Sequence, residues 1–458
     1  MRMLLLDLAY IPLAIAYLPV LLYQMIVLKK NRHGWAERFG FIRRRVSPRP
    51  CVWIHAVSLG EVNATKSLVT EIEKRLPSYD IVISATTDTG YTAAVKHYQP
   101  KRILRYPLDF SWVVHRAFDR IHPDAVILME LEVWPNLIAV ARRRGIPILI
   151  ANGRVTEERS MRRFRKPVVR SLARRMFGDI TFAGVQNEAY AARFAELGVP
   201  RGQVVVTGTM KYDTALIADS VPGDANLAAA MGIDRDKPLF VAGSTGPGEE
   251  ELILQAYSQL LDDQDGLQLA IIPRKPERFD EVARLIEGRG YACVRRSLRA
   301  NSNNVPAGSD AAAGDRPVVF LGDTMGELRK FYALADVVFV GRSLVPMGGS
   351  DLMEVAGLGR AMCYGPYVEN FADVSEKLLT VGAAVQLQSA DDLVPTLRRL
   401  LADRSASAAM GRSAQEVVRR NTGATARTVD LLCESLGRRA DHPKTSISTP
   451  KLPEACRA

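Results

Sequence analysis

Fourteen short apolar runs, rich in Val, Ile, Leu and Ala, recur along the chain with helical stretches between them. Seven lie at 51–54, 80–85, 102–105, 125–129, 147–151, 180–185 and 203–207. Seven more lie at 238–243, 267–272, 291–295, 317–321, 336–340, 361–364 and 383–387. Runs that are apolar throughout read as strands covered on both faces, and their alternation with helices calls for parallel sheets. Between 208 and 236 the pattern breaks into Gly, Pro, Ala and Asp, as an interdomain connection does. The expected fold is α/β, with two successive Rossmann-like domains and a cleft between them. A chain of 458 residues is long enough for two full cores. Neither half carries Gly-x-Gly-x-x-Gly and no Gly-Lys-Ser/Thr occurs, so dehydrogenase and P-loop classes fall away.

Residues 8–28 contain no charge. About twenty such residues cross a bilayer core as a helix. Only Arg2 and Asp7 precede this stretch, whereas Lys29, Lys30, Arg32, His33 and Arg38 follow at once. The positive-inside rule then places the body of the protein in the cytoplasm. With no small-x-small cleavage site, residues 1–30 read as an uncleaved membrane anchor. Pro12 and Pro19 leave open whether it spans the bilayer or lies in its interface. The net charge of +11 favours anionic partners, membrane headgroups or a phosphorylated substrate. No zinc finger or RNA-binding aromatic signature is present, so nucleic acid is not an expected partner. Five cysteines without Cys-x-x-Cys and six histidines without His-Glu-x-x-His give no readable metal site, and no cofactor is expected. The segment 299–315 reads as a floppy surface loop and 437–458 as a disordered tail.

Chemistry concentrates where strands end. Glu61 closes His55-Ala56-Val57-Ser58-Leu59-Gly60-Glu61 at the start of a helix, where the dipole favours an ionised carboxylate. It suits either a general base or a residue that only complements the helix. Glu130 and Glu132 follow the 125–129 run before Trp134-Pro135-Asn136, and would share a face if the strand continued. Two acids there are costly to bury without partners. Lys211 sits in Thr209-Met210-Lys211-Tyr212-Asp213 at the end of the first half, as a solvated cation or a partner of Glu130.

In the second half, Gly243-Ser244-Thr245-Gly246-Pro247-Gly248 precedes a helix beginning at Glu249 and offers free amides to an anion, or forms a simple turn. Arg274 suits a bidentate grip on phosphate or carboxylate. Gly322 to Leu328 and Gly341 to Glu354 bring further glycines before helices, with Glu354 suited to a ribose diol. All three lie at one sheet edge, which favours a nucleotide site over turns alone. Between Arg154 and Arg175, seven further Arg and Lys residues make either a solvated helix face or a surface for anionic headgroups.

Taken in order, His-x-Val-Ser-x-Gly-Glu (55–61), Met-Glu-x-Glu-x-Trp-Pro-Asn (129–136), Gly-x-x-Lys-Tyr-Asp (208–213), Pro-Arg-x-Pro-Glu-Arg-Phe (273–279) and Gly-Asp-Thr-Met-Gly-Glu-Leu (322–328) resemble the 3-deoxy-D-manno-oct-2-ulosonic acid (Kdo) transferases of lipopolysaccharide assembly. The resemblance runs from the anchor to about residue 430. It implies a GT-B glycosyltransferase that takes Kdo from CMP-Kdo, inverts at the anomeric carbon and acts on a lipid A precursor at the cytoplasmic face of the inner membrane. It implies Glu61 as proton acceptor and Glu130 and Lys211 as transition-state stabilisers. Pro273, Arg274, Met325, Gly326, Glu327, Asp351, Leu352, Met353 and Glu354 are implied to hold CMP. The implied domains are an acceptor domain over 31–215 and a CMP-sugar domain over 216–436.

Departures cluster near the implied donor site. Gly348-Gly349-Ser350-Asp351-Leu352-Met353-Glu354 stands where the family has Gly-Gly-His-Asn-Pro-Leu-Glu, and Lys275 replaces the His of Pro-Arg-His-Pro. Arg342 stands in a usual Gly-Gly-Ser. Another nucleotide-sugar donor with a membrane lipid acceptor, or an inactive membrane-bound relative, are the alternatives. Retention of Glu61, Glu130 and Lys211 together favours an active enzyme.

Overall fold

Cys51, Val52, Trp53 and Ile54 are wholly buried, and they belong to an interior strand of a sheet built as their apolar run requires. A computed structural model of the chain describes residues 2–29, 31–299 and 316–441. It divides into two units, Met1–Thr214 with Asn421–Ala458, and Ala215–Arg420.

In the first unit, β1 (Cys51–Ala56), β2 (Asp80–Ala85), β3 (Arg102–Arg105), β4 (Ala125–Met129), β5 (Ile148–Gly153), β6 (Phe182–Val185) and β7 (Val204–Val206) make one sheet. Its order is β3-β2-β1-β4-β5-β6-β7 and every pairing is parallel. The chain starts in the interior, builds to β3, then returns to the other side of β1 with β4. The switch point therefore lies between β1 and β4, where an open α/β sheet leaves a crevice at its carboxyl edge. Helices cover both faces. Trp53 and Phe118 pack in one face's core, while Ile54 and Val62 pack in the other.

The second unit is again a seven-stranded sheet, made of β8 (Leu239–Thr245), β9 (Gln268–Pro273), β10 (Ala292–Arg295), β11 (Val318–Leu321), β12 (Val337–Val340), β13 (Ala361–Tyr364) and β14 (Val385–Gln386). Its order is β10-β11-β9-β8-β12-β13-β14, again wholly parallel. The switch point here falls between β8 and β12.

Four expectations change. The Ala424–Asp441 helix belongs with the first unit, so the second unit closes at 420 and not 436. Its Ala424, Val429, Leu432 and Leu436 are buried in the same core as Val52 and Ile54, which holds it there. The helix also continues through 437–441, inside the stretch expected to be a disordered tail; residues 442–458 lie outside the described residues. The connection 208–236 is not irregular throughout. It contains the helix Asp224–Met231, whose Leu227, Ala228 and Met231 are buried. Strand β4 stops at Met129, so Glu130 and Glu132 do not share a strand face. Of the expected loop 299–315, residues 300–315 lie outside the described residues.

Candidate active site

Glu61 stands at the exit of β1 in the first turn of the Leu59–Arg75 helix. The sequence Ser58-Leu59-Gly60-Glu61 has the spacing of a capping box, and the structure uses it in modified form. Ser58 is the N-cap and its hydroxyl accepts the Glu61 N–H at 3.3 Å. The Glu61 carboxylate takes the Val57 N–H at 2.8 Å and the Ser58 hydroxyl at 3.0 Å. Burial pushes this carboxyl up to about 7; the Val57 amide opposes that, and the charges of Glu130 and Glu132 add to it. A half-buried carboxyl that titrates near neutrality while its helix-start partners orient it is suited to accept a proton.

Glu130 is the first residue past β4, on the other side of the switch point. Its φ of +54° is a left-handed conformation rare for a residue with a side chain, and its N–H is held by Ala151 O at 2.9 Å. This turn lifts the side chain out of the strand's pleat. Burial raises the Glu130 carboxyl, and the charges of Arg154 and Lys211 pull it back. Burial also raises Glu132, whose Oε2 accepts the Trp134 indole N–H at 3.2 Å. Lys211 is half-buried after β7. It is positioned through Asn152, itself left-handed at φ +57°, whose Oδ1 accepts the Met210 N–H at 3.2 Å. The structure thus brings Glu61, Glu130 and Lys211 to one electrostatically coupled group and adds Glu132 and Arg154. Arg154 was unassigned in sequence because a cation heading a basic run carries no local sign of its partner.

His55 lies beneath this edge. Its ring is wholly buried, stacks on Tyr106 at 3.7 Å, and places Nδ1 3.0 Å from the Ser84 hydroxyl. Burial drives its pKa down to about 3, so it is neutral and serves packing, not proton transfer. Asp213 of the Lys211 motif is also structural: its carboxylate accepts the N–H groups of Gly423 (2.6 Å) and Thr425 (2.5 Å) at the start of the Ala424–Asp441 helix.

In the second unit the glycine loops after β8 and β12 meet across the switch point. Glu249, wholly buried, joins them. Its carboxylate accepts four backbone N–H groups, from Gly246 (2.8 Å), Arg342 (2.6 Å), Ser343 (2.8 Å) and Leu344 (2.9 Å). Glu250 is equally buried and takes Arg278 in a two-pronged pair (2.6 and 3.1 Å) together with the Thr245 hydroxyl (2.7 Å). In the sequence Glu249 and Glu250 stand only as the start of a helix after Gly243 to Gly248, with no sign that they staple loops.

Around these loops the expected donor residues divide. Pro273 ends β9 in the core, and exposed Arg274 follows, its N–H on Thr245 O at 3.1 Å. Arg274, Asp351 and Glu354 converge electrostatically on Tyr332, a wholly buried tyrosine that also bonds Ser244. A Cβ on Gly243 would stand 2.3 Å from this ring, so β8 needs glycine near its end. Met325 is 65% exposed and Gly326 is left-handed at φ +88°. Glu327 is consumed within the protein: Arg296 grips it at 2.9 and 3.2 Å, Lys330 at 3.0 Å and Thr324 at 2.5 Å, and despite burial these hold its carboxyl at about 2. Asp351 caps the short helix Leu352–Gly357 through the Met353 N–H (3.0 Å), while Leu352 and Met353 point into the core. Glu354 pairs with Arg329 at 3.0 Å.

The comparisons agree with this architecture. The family described as 3-Deoxy-D-manno-octulosonic-acid transferase (kdotransferase) matches residues 33–214. The 3-deoxy-D-manno-octulosonic acid transferase of Haemophilus influenzae is 33% identical over 407 residues, 88% of this chain and 91% of that protein. Its counterpart in Bordetella pertussis is 33% identical over 414 residues, 87% and 91% of the two chains. MurG of Acinetobacter baumannii shares the fold at a TM-score of 0.51 and 16% identity, over 84% of this chain and all of that one. With two doubly wound parallel units of GT-B type and relatives this close over most of its length, the chain belongs to the Kdo transferase family and is a glycosyltransferase.

Proposed function

We propose that this enzyme moves Kdo from CMP-Kdo to a hydroxyl of a lipid A precursor of the lipid IVA type, with inversion at the anomeric carbon. The observation that carries the assignment is the Glu61 carboxyl, set at the β1–β4 switch point with a pKa raised to about 7. In the proposed step the acceptor hydroxyl oxygen attacks the anomeric carbon and gives its proton to Glu61. The bond from that carbon to the CMP phosphate breaks, and CMP leaves with the electron pair. Glu130 faces the positive charge that develops on the sugar and Lys211 the negative charge on the departing phosphate, each stabilising charge that exists mainly in the transition state.

The first unit supplies these groups and the acceptor site; the second holds the donor. The loops stapled by Glu249 offer backbone amides to phosphate, and exposed Arg274 supplies a matching cation. Pro273, Met325, Gly326 and the Asp351–Glu354 turn line the CMP site in this reading, with Glu327 acting through its backbone because its carboxylate is engaged. The named transferases of Haemophilus influenzae and Bordetella pertussis support the sugar, and the motif order supports the donor. The N-terminal helix, uncharged from Leu8 onward and followed by Lys29 and Arg32, attaches the enzyme to the anionic cytoplasmic face of the inner membrane.

The test is transfer of labelled Kdo, from CMP-Kdo formed in situ, to a tetraacylated lipid A precursor, with products resolved by mass. Transfer by the wild type and its loss in Glu61→Ala is the expected result. Transfer that persists in Glu61→Ala removes the base assignment, and absence of transfer by folded wild type removes the donor–acceptor pair.

A further inference from the structure

The helix Arg2–Ile26 is apolar on most of its circumference, with Leu13 and Ile15 each 65% exposed and Ile26 69%. Four of its polar residues, Asp7, Tyr10, Tyr17 and Gln24, follow one another at spacings of 3, 7 and 7, with exposed Tyr23 outside the series. At 3.6 residues per turn the four fall within an arc of roughly 100°. Its amino-terminal end is held by the first unit, while Tyr17 in its middle is exposed. Asp7 accepts the Ser111 N–H (2.8 Å), the Ser111 hydroxyl and the Asn136 side-chain amide (3.0 Å). The Tyr10 hydroxyl donates to Asp109 at 3.0 Å, and its ring meets Phe110 edge-on at 5.8 Å.

The far end returns to the same unit. Gln24 accepts the Asn31 amide at 2.9 Å, and the Asn31 N–H donates to Asp88 at 2.7 Å. From Tyr10 to Ile26 the helix rises about 24 Å, and the five residues on to Asn31 reach back at most about 17 Å. A crossing of the hydrocarbon needs about 30 Å outward and as much in return. With both attachments made, the helix cannot cross.

Asp88, Ser111 and Asn136 follow β2, β3 and β4, so the attachments lie along the carboxyl edge that also carries Glu61 and Glu130. Beside Ser111, exposed Trp112 stacks with Phe39 (6.4 Å, 12°), and Arg116 covers both Trp112 and Phe41. Aromatic rings and cations of this kind suit the headgroup level of a bilayer.

We propose that this helix lies in the plane of the cytoplasmic interface, tied to the first unit near both ends and with its apolar circumference in one leaflet. The edge bearing Glu61 is thereby set against the lipid headgroups, where a lipid acceptor need not leave the membrane to reach it. The inference rests on the helix being the membrane attachment proposed above.

Epitope tags at both ends of the full chain, probed with protease in intact spheroplasts and in inverted inner-membrane vesicles, test it. Retained Kdo transfer certifies that the tagged chain is folded. The expected result is that both tags are lost only in inverted vesicles. Loss of the N-terminal tag in spheroplasts, alone or mixed, overturns the in-plane arrangement while leaving membrane attachment intact. Failure of the full chain to float with lipid vesicles instead overturns the attachment itself.

Discussion

Ser58 and Glu61 exchange hydrogen bonds: the Ser58 hydroxyl oxygen accepts the Glu61 N–H at 3.3 Å and its proton goes to Glu61 Oε1 at 3.0 Å. The same serine therefore caps the helix and stabilises the ionised carboxylate. Ser58→Ala removes both effects. Loss of the cap is expected to cost about 1 kcal/mol, read as a lower denaturation midpoint. Loss of the bond to the carboxylate moves the Glu61 titration upward, so the pH dependence of transfer shifts toward higher pH.

Glu61 itself gives a signed pH prediction. As a base it must be ionised, so the rate rises with pH through about 7 and this limb disappears in Glu61→Gln. That variant is expected to lose about 100-fold or more in turnover. Stability runs the other way. The folded chain binds this proton more tightly than the unfolded chain, so the stabilisation is complete below 4.5 and is lost as pH rises through about 7. Melting curves of Glu61→Gln across that window should show a smaller decline than the wild type.

Glu249 satisfies four amides in two loops. Glu249→Ala leaves them buried and unpaired, at a cost of about 3 kcal/mol or more. The expected signature is a loss of thermal stability together with a raised KM for the sugar nucleotide. Glu249→Gln keeps one acceptor oxygen and is expected to recover part of each.

Arg274 is exposed, so Arg274→Ala should leave the unfolding free energy within about 0.5 kcal/mol of the wild type. Its donor KM should rise about tenfold, the size of one charge-assisted contact. Arg274→Lys is expected to restore less than half of that in free energy, because a point charge does not reproduce a two-pronged grip. Steady-state kinetics at fixed acceptor separates these outcomes.

Asp213 fastens the last helix to the first unit through Gly423 and Thr425. Asp213→Ala should cost about 1 to 2 kcal/mol as a lost N-cap. Hydrogen exchange should accelerate first in 424–441, and activity should fall through displacement of neighbouring Lys211.

All fourteen strands among the described residues were legible because a strand covered on both faces needs a short, wholly apolar run, and that demand is local. Their ends were less so. β1 continues to Ala56 because His55 and Ala56 pair with Ser84 and Ala85, twenty-nine residues on, which no local pattern shows. Glu61, Glu130 and Lys211 were recognisable from their motifs. Glu132 was legible beside Glu130, whereas Arg154 and Tyr332 joined the sites only once distant loops were brought side by side. Leu352 and Met353 carried the same motif label as Glu354, yet their side chains fill the core.

By itself the sequence determined the α/β class, the two-sheet plan, the family and the main acids and cations, since periodicity, glycine placement and motif order are properties of neighbouring residues. Tertiary structure decided the strand order, and with it the switch points that place Glu61 beside Glu130 and Glu249 beneath two loops. It returned the last helix to the first unit and fastened both ends of the first helix to one sheet edge. Those outcomes depend on which buried surfaces and unpaired amides find each other across hundreds of residues, and only the folded chain brings them into contact.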